Sequence, residues 1–165
     1  VAHRHRERDW LMILVAFWHG LRASEVIGIK ANDVKDGYLR IERLKGSETT
    51  CQALIGHQNP LLSEQAKLIE YARKSNENQR LFPITRQHFW RLFRRYCEAA
   101  QVPAQKAHPH ALKHSIATLM VENNTPINKI QKRLGHRSMA STGEYMKESD
   151  ATVDAVIVAA AGFGL

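Results

Sequence analysis

Between residues 86 and 100 one stripe of apolar side chains runs through Phe89, Phe93, Tyr96, Cys97 and Ala100. That i, i+4, i+7, i+8, i+11 spacing gathers on one face only when the backbone is α-helical. The same period recurs along most of the chain and is cut into short lengths by glycine and proline, so the fold has to be built from several short packed helices. Trp10, Ile13, Leu14 and Phe17 mark a buried helix over residues 9–19 that Gly20 stops. Ser24 is placed to cap a short helix carrying Val26, Ile27 and Ile29. Leu61, Leu62, Leu68, Ile69 and Ala72 share a face over residues 61–72, and Pro109 precedes a helix that starts near His110 and runs through Leu112, Ile116 and Leu119. Thr125 as N-cap, Pro126 in the first turn and Gly135 at the end punctuate the next helix, which carries Ile127, Ile130 and Leu134. Ser138 can cap a helix containing Tyr145, and residues 151–161 form a last apolar helix. One region departs from this period: after the Asp36-Gly37 turn, residues 38–44 and 49–55 read as two strands of a hairpin around Lys45-Gly46-Ser47. The predicted class is mainly α (α+β), helical with one small antiparallel β-sheet.

At 165 residues the chain suits one domain, 1–165. Its net charge of +8 points to a polyanionic partner. Cys51 and Cys97 are too few for a disulfide framework and read as small hydrophobes in a reducing compartment. The apolar runs at 11–18 and 153–161 fall well short of the roughly 20 residues a membrane-crossing helix needs. Arg91, Arg94 and Arg95 occupy the remaining faces of the 86–100 helix and read as a solvated surface.

Six side chains supply the parts for cutting a phosphodiester. Arg22, in Gly20-Leu21-Arg22-Ala23-Ser24-Glu25, sits on a short corner between two helices, and its planar fork can hold two phosphate oxygens while Glu25 orients it. Taken alone, such an arginine is better read as a helix-end residue in a surface ion pair. His110 and Lys113 lie three apart and share a helix face. His108 and His114 stand beside them, but no cysteine or carboxylate has a supporting spacing, so no metal and no other cofactor is expected. His136 follows the closing Gly135 and can donate to a phosphate oxygen or accept a phenol proton; by itself a histidine there is usually a C-terminal cap. Tyr145, nine residues on, can be the nucleophile, or an ordinary helix tyrosine. Tyr38, Tyr71 and Tyr96 fall on a strand or an apolar stripe and are poorer candidates. Lys45, in the hairpin turn, can reach into a DNA groove.

The boxes Gly20-Leu21-Arg22-x-x-Glu25, His110-Ala111-Leu112-Lys113-His114 and Leu134-Gly135-His136-x-Ser138-x-x-x-Thr142-x-x-Tyr145, in this order, resemble the catalytic domain of the tyrosine recombinase (phage integrase) family. The resemblance covers residues 10–145. One position departs from it: the family has arginine where Lys113 stands, which keeps the charge and loses the bidentate fork.

The resemblance implies that Tyr145 attacks a phosphate of double-stranded DNA, releases a 5′ hydroxyl and leaves a 3′-phosphotyrosine. Arg22, His110, Lys113 and His136 would hold the phosphate, and Lys45 would protonate the leaving oxygen, without metal or ATP. It also implies a homotetramer on DNA and a cytoplasmic setting. Family members usually carry a separate helical domain before the catalytic one. This chain passes directly from His3-Arg4-His5-Arg6 into the catalytic domain, so weak, salt-sensitive DNA binding is expected. The tail at 151–165 is expected to dock either on a neighbouring protomer or on its own domain. Two rival classes share this inventory: a DNA-binding module that has lost cutting, and a type IB topoisomerase-like nicking-closing enzyme.

Overall fold

The computed structural model describes residues 5–43 and 48–136. Helix α1 (Arg6–Trp18) runs through the centre and is covered on every side, with all residues from Asp9 to Phe17 buried. Its unbroken apolar run makes this possible, because no polar side chain between Leu11 and Phe17 needs water. The two flanking indoles keep their N–H groups satisfied: Trp10 donates to the Leu61 carbonyl and Trp18 to that of Leu62, both at 2.9 Å. The short α2 (Ala23–Val26) follows, then β1 (Val34–Lys35), β2 (Tyr38–Ile41) and β3 (Thr50–Ala53), paired antiparallel in the order β1-β2-β3. Helices α3 (Gln65–Arg73), α4 (Arg86–Ala99), α5 (His110–Glu122) and α6 (Ile127–Leu134) complete the α-helices among the described residues. Helix α1 packs against α2 and α5, and α5 also packs against α6.

The helical class with one small sheet is the one expected, and α4 covers the span that its stripe marked, with Phe89, Phe93 and Cys97 buried. Several local expectations are corrected. Arg22, not Ser24, occupies the N-cap of α2, because the Glu25 carboxylate reaches back to accept the Arg22 backbone N–H at 2.8 Å. The helix foreseen over 61–72 is broken: Pro60–Leu62 forms a single 3₁₀ turn capped by the Asn59 side chain, and α3 starts only at Gln65. Helix α6 begins one residue later than its punctuation suggested, with Pro126 at the N-cap. A further strand, β1, joins β2 through Asp36-Gly37, where both residues have positive φ, 52° and 79°. Cys51 is exposed while Cys97 is buried, because the pleat turns Gln52 inward and its neighbours outward. The helices foreseen around Tyr145 and over 151–161 lie outside the described residues.

Gly20 decides how closely α1 and α6 approach. Its φ is 58°, and a Cβ there would stand 2.5 Å from Leu134 Cδ2. Gly20→Ala therefore combines left-handed strain with a steric clash, and is expected to destabilise the fold by about 2–4 kcal/mol. The shift in the urea midpoint measures this; a change below about 1 kcal/mol would show that the two helices separate cheaply.

Candidate active site

The C-terminal end of α6 is where the described members of the expected set, Arg22, His110, Lys113 and His136, come near one another. The last four carbonyls of a helix lack intrahelical partners. Here the His136 N–H takes the Gln131 carbonyl at 3.1 Å and the Gly135 N–H takes that of Lys132 at 3.3 Å. These are the two bonds of a Schellman ending, with Gly135 left-handed at φ 67°. The Arg133 carbonyl accepts from Arg43 Nη2 at 2.8 Å and Gln52 Nε2 at 2.7 Å. The Leu134 carbonyl accepts from Lys113 Nζ at 3.0 Å. Helix α5 and the strand pair thus both bring donors to the negative end of the α6 dipole, immediately before His136.

Arg22 joins this cluster through Glu25. Its Nη1 donates to Glu25 Oε1 at 2.9 Å, so Glu25 orients the guanidinium as expected. The Glu25 side chain is fully buried, whereas 36% of the Arg22 side chain is exposed, leaving the rest of its fork open. The other Glu25 oxygen is held by Arg43 Nη1 at 3.1 Å. Arg22 and His110 line one cavity of about 580 Å³, together with Ser24, Arg86, Trp90 and His108. The His110 ring meets that of His114 edge-on, with centroids 4.5 Å apart. Lys45 and Tyr145 lie outside the described residues. Among those residues, no three His, Cys, Asp or Glu side chains are placed to hold one metal ion. No described helix is long and apolar enough to cross a membrane.

Titration behaviour shows how the charges add. Burial first, then the Arg22 and Arg43 cations, depress the Lys113 ammonium to about 7. Burial also leads for His110, followed by His114, Lys113, His108 and Arg22, and brings it down to about 4. His136 falls to about 4 by burial, then Lys113, Arg22, Arg43 and His110. Burial would raise Glu25, but the Arg22 backbone N–H and the Arg43, Lys113 and Arg22 charges outweigh it and hold the carboxyl below its ordinary value. Among the described residues, positive charge therefore exceeds what the Glu25 carboxylate neutralises, which suits the cluster to an anion. Tyr96 shifts the other way for a nucleophile: burial, then Asp9, which accepts its hydroxyl at 3.1 Å, pushes it up to about 12.

A folded-state value below the unfolded one means that the unfolded chain binds more protons between the two. The contribution of His110 and His136 to stability is thus complete above about pH 6.5 and is lost as the pH falls through about 4. In DNA-free protein, the imidazole Cε1–H resonances of both are expected to titrate near 4, and the thermal midpoint to fall over the same window. Midpoints near 6.5 for both rings would contradict the electrostatic picture.

Two residues of the cluster were missed in the sequence, Arg43 and Gln52. Strand alternation could have found Arg43, since Leu39, Ile41 and Arg43 stand two apart and all three are buried. Gln52 lies between the exposed Cys51 and Ala53 and is the inward position of β3.

The fold is a helical domain with one small sheet and a cationic cluster at the end of α6, and comparison with known proteins gives its family. The sequence pattern of the phage integrase family matches residues 2–152, so the chain belongs to that family. It is 30% identical over 158 residues to tyrosine recombinase XerA of Pyrococcus furiosus, covering 89% of this chain and 52% of that protein. It is 31% identical over 150 residues to tyrosine recombinase XerD of Yersinia pestis, covering 84% and 49%. The chain thus spans about half the length of these curated relatives. Among solved structures, XerH site-specific recombinase bound to its difH substrate superposes with a TM-score of 0.69 at 22% identity, over 90% of this chain and 45% of that one. A lambda integrase dimer bound to a core site gives 0.62 at 19% identity, over 91% and 49%. At that level of identity the likeness concerns the fold.

Proposed function

We propose that this chain carries out site-specific DNA recombination by cleaving and rejoining strands through a 3′-phosphotyrosine. The observation that supports this most is the gathering of Arg22, His110, Lys113 and His136 around the end of α6, with Tyr145 nine residues beyond His136. In this reading the Tyr145 phenol oxygen bonds to phosphorus as the P–O5′ bond breaks. His136, neutral at physiological pH, takes the phenol proton, and Lys45 returns a proton to the departing 5′ oxygen. Arg22 and His110 donate to the non-bridging oxygens, where charge builds in the transition state. Once a phosphate is seated, its negative charge favours the protonated form of Lys113. Phosphoester replaces phosphoester, so a 5′ hydroxyl of another strand reverses the step without an external energy source.

Double-stranded DNA is the partner, as for the DNA-bound XerH and lambda integrase structures that share the fold. Assembly into a tetramer on DNA and a cytoplasmic setting belong to the same proposal. The rival reading, a DNA-binding module that no longer cuts, draws on Lys113, whose amine is buried and bonded to the Leu134 carbonyl.

The deciding experiment offers the chain a pool of nicked duplexes of randomised sequence. Escape of the short fragment beside the nick prevents rejoining, so covalent protein–DNA species accumulate on a denaturing gel. Adducts with recoverable, related sequences support recombination. DNA retention with no adduct at any sequence would favour the binding module.

A further inference from the structure

Arg43 makes four hydrogen bonds through its terminal nitrogens. Its Nη1 donates to the Gly20 carbonyl at 3.0 Å and to Glu25 Oε2 at 3.1 Å. Its Nη2 donates to the His19 carbonyl at 2.9 Å and to that of Arg133 at 2.8 Å. These bonds use all four N–H groups of the two terminal nitrogens. The side chain has no exposed surface, and its stem and Nε lie across Gly135, where a Cβ would stand 3.1 Å from Cγ and Nε. The fifth donor, Nε–H, is buried against Gly135 without a hydrogen-bond partner, so Arg43 presents no exposed donor to a phosphate and stands outside the DNA-contacting set.

Its remaining partner is what matters. Glu25 is shared between two guanidiniums, one sealed and one open. With Arg22 alone, a buried carboxylate would form a closed, neutral pair, and the Arg22 cation would be spent on it. With Arg43 supplying the opposite charge from below, the three groups sum to one positive charge, carried on the side that faces the cavity. The same contacts tie the Gly20–Arg22 corner to the end of α6, which fixes the position of that charge against Lys113 and His136.

We propose that Arg43 is a positioning residue for Arg22: by neutralising Glu25 from the protein side, it leaves the positive charge of Arg22 for the scissile phosphate. This rests on the reading that Arg22 holds that phosphate, and the variants separate the two claims. The rate of adduct formation on the nicked-duplex pool is compared for wild type, Arg22→Ala, Arg43→Met, Arg43→Lys and the double variant Arg43→Met/Glu25→Gln. If Arg22→Ala cleaves like wild type, the phosphate role of Arg22 fails, and this proposal with it. If Arg22→Ala is impaired, Arg43→Met is expected to lose roughly 30-fold. Adding Glu25→Gln removes the charge that now captures Arg22 and is expected to restore the rate to within about fivefold of wild type. A buried residue acting only through packing would show no such recovery, so a double variant no faster than Arg43→Met, with both melting cooperatively, overturns the proposal. Arg43→Lys keeps a positive charge beside Glu25 and is expected to stay within about fivefold of wild type. A loss in it as large as that of Arg22→Ala overturns the charge argument, and this holds even where Arg43→Met fails to fold.

Discussion

Tyr145→Phe is expected to form no covalent adduct on any nicked duplex, while binding DNA as tightly as the unmodified chain. The substitution deletes one oxygen and keeps the ring, so the loss isolates the atom that would bond to phosphorus. A free phenol ionises only near pH 10, so attack at neutral pH needs a neutral imidazole to take its proton and cations to favour the phenolate. The depressed His136, and the positive charge of Arg22 beside it, provide both. Tyr96, pushed up to about 12 and bonded to Asp9, is not placed to substitute. The measurement is the shifted protein–DNA band under denaturing conditions. Adducts persisting in Tyr145→Phe would assign the nucleophile elsewhere and end the case for this tyrosine.

Glu25→Ala has the next largest expected effect, on stability as well as on chemistry. The carboxylate has no exposed side-chain surface and accepts from Arg22 twice and from Arg43 once. Truncating it leaves the Arg43 guanidinium buried without a counter-charge, a change that costs about 3–5 kcal/mol when one partner of a buried pair is removed. The N-cap of α2 loses its acceptor as well, worth about 1 kcal/mol. In whatever fraction stays folded, Arg22 is no longer oriented, and cleavage is expected to fall by roughly 10²–10³, the range for a lost transition-state donor. Urea unfolding and single-turnover adduct formation read the two effects separately. A variant within about 1 kcal/mol of wild type would mean that water enters to solvate Arg43, contrary to its burial here.

Much of the helical architecture could be read in the sequence, because periodicity and punctuation are local signals. Phe89, Phe93 and Cys97 announced α4, Gly135 the end of α6, and Gly20 the corner holding Arg22. Errors came where short-range signals compete. Leu61 and Leu62 extend the stripe of α3, yet Pro60 and Asn59 make a separate turn of them. Ser24 has the better intrinsic capping side chain, yet Glu25 reaching back to Arg22 places the helix start two residues earlier.

The chain's order of residues by itself singled out the candidate groups for the proposed chemistry: a cation on a rigid corner, a histidine and lysine on one helix face, a histidine behind a closing glycine, a phenol nine residues further. These are contacts of a few residues' range, or choices of side chain, and need no knowledge of what lies opposite. Only the tertiary structure decided how the corner, the strand pair and α5 meet at one helix end. It also showed that Arg43 and Glu25, ordinary charged letters in sequence, are sealed together beneath Arg22. The reason is physical: a helix end exposes carbonyls that something must satisfy, and which distant donors do so depends on packing across a core that local periodicity does not encode.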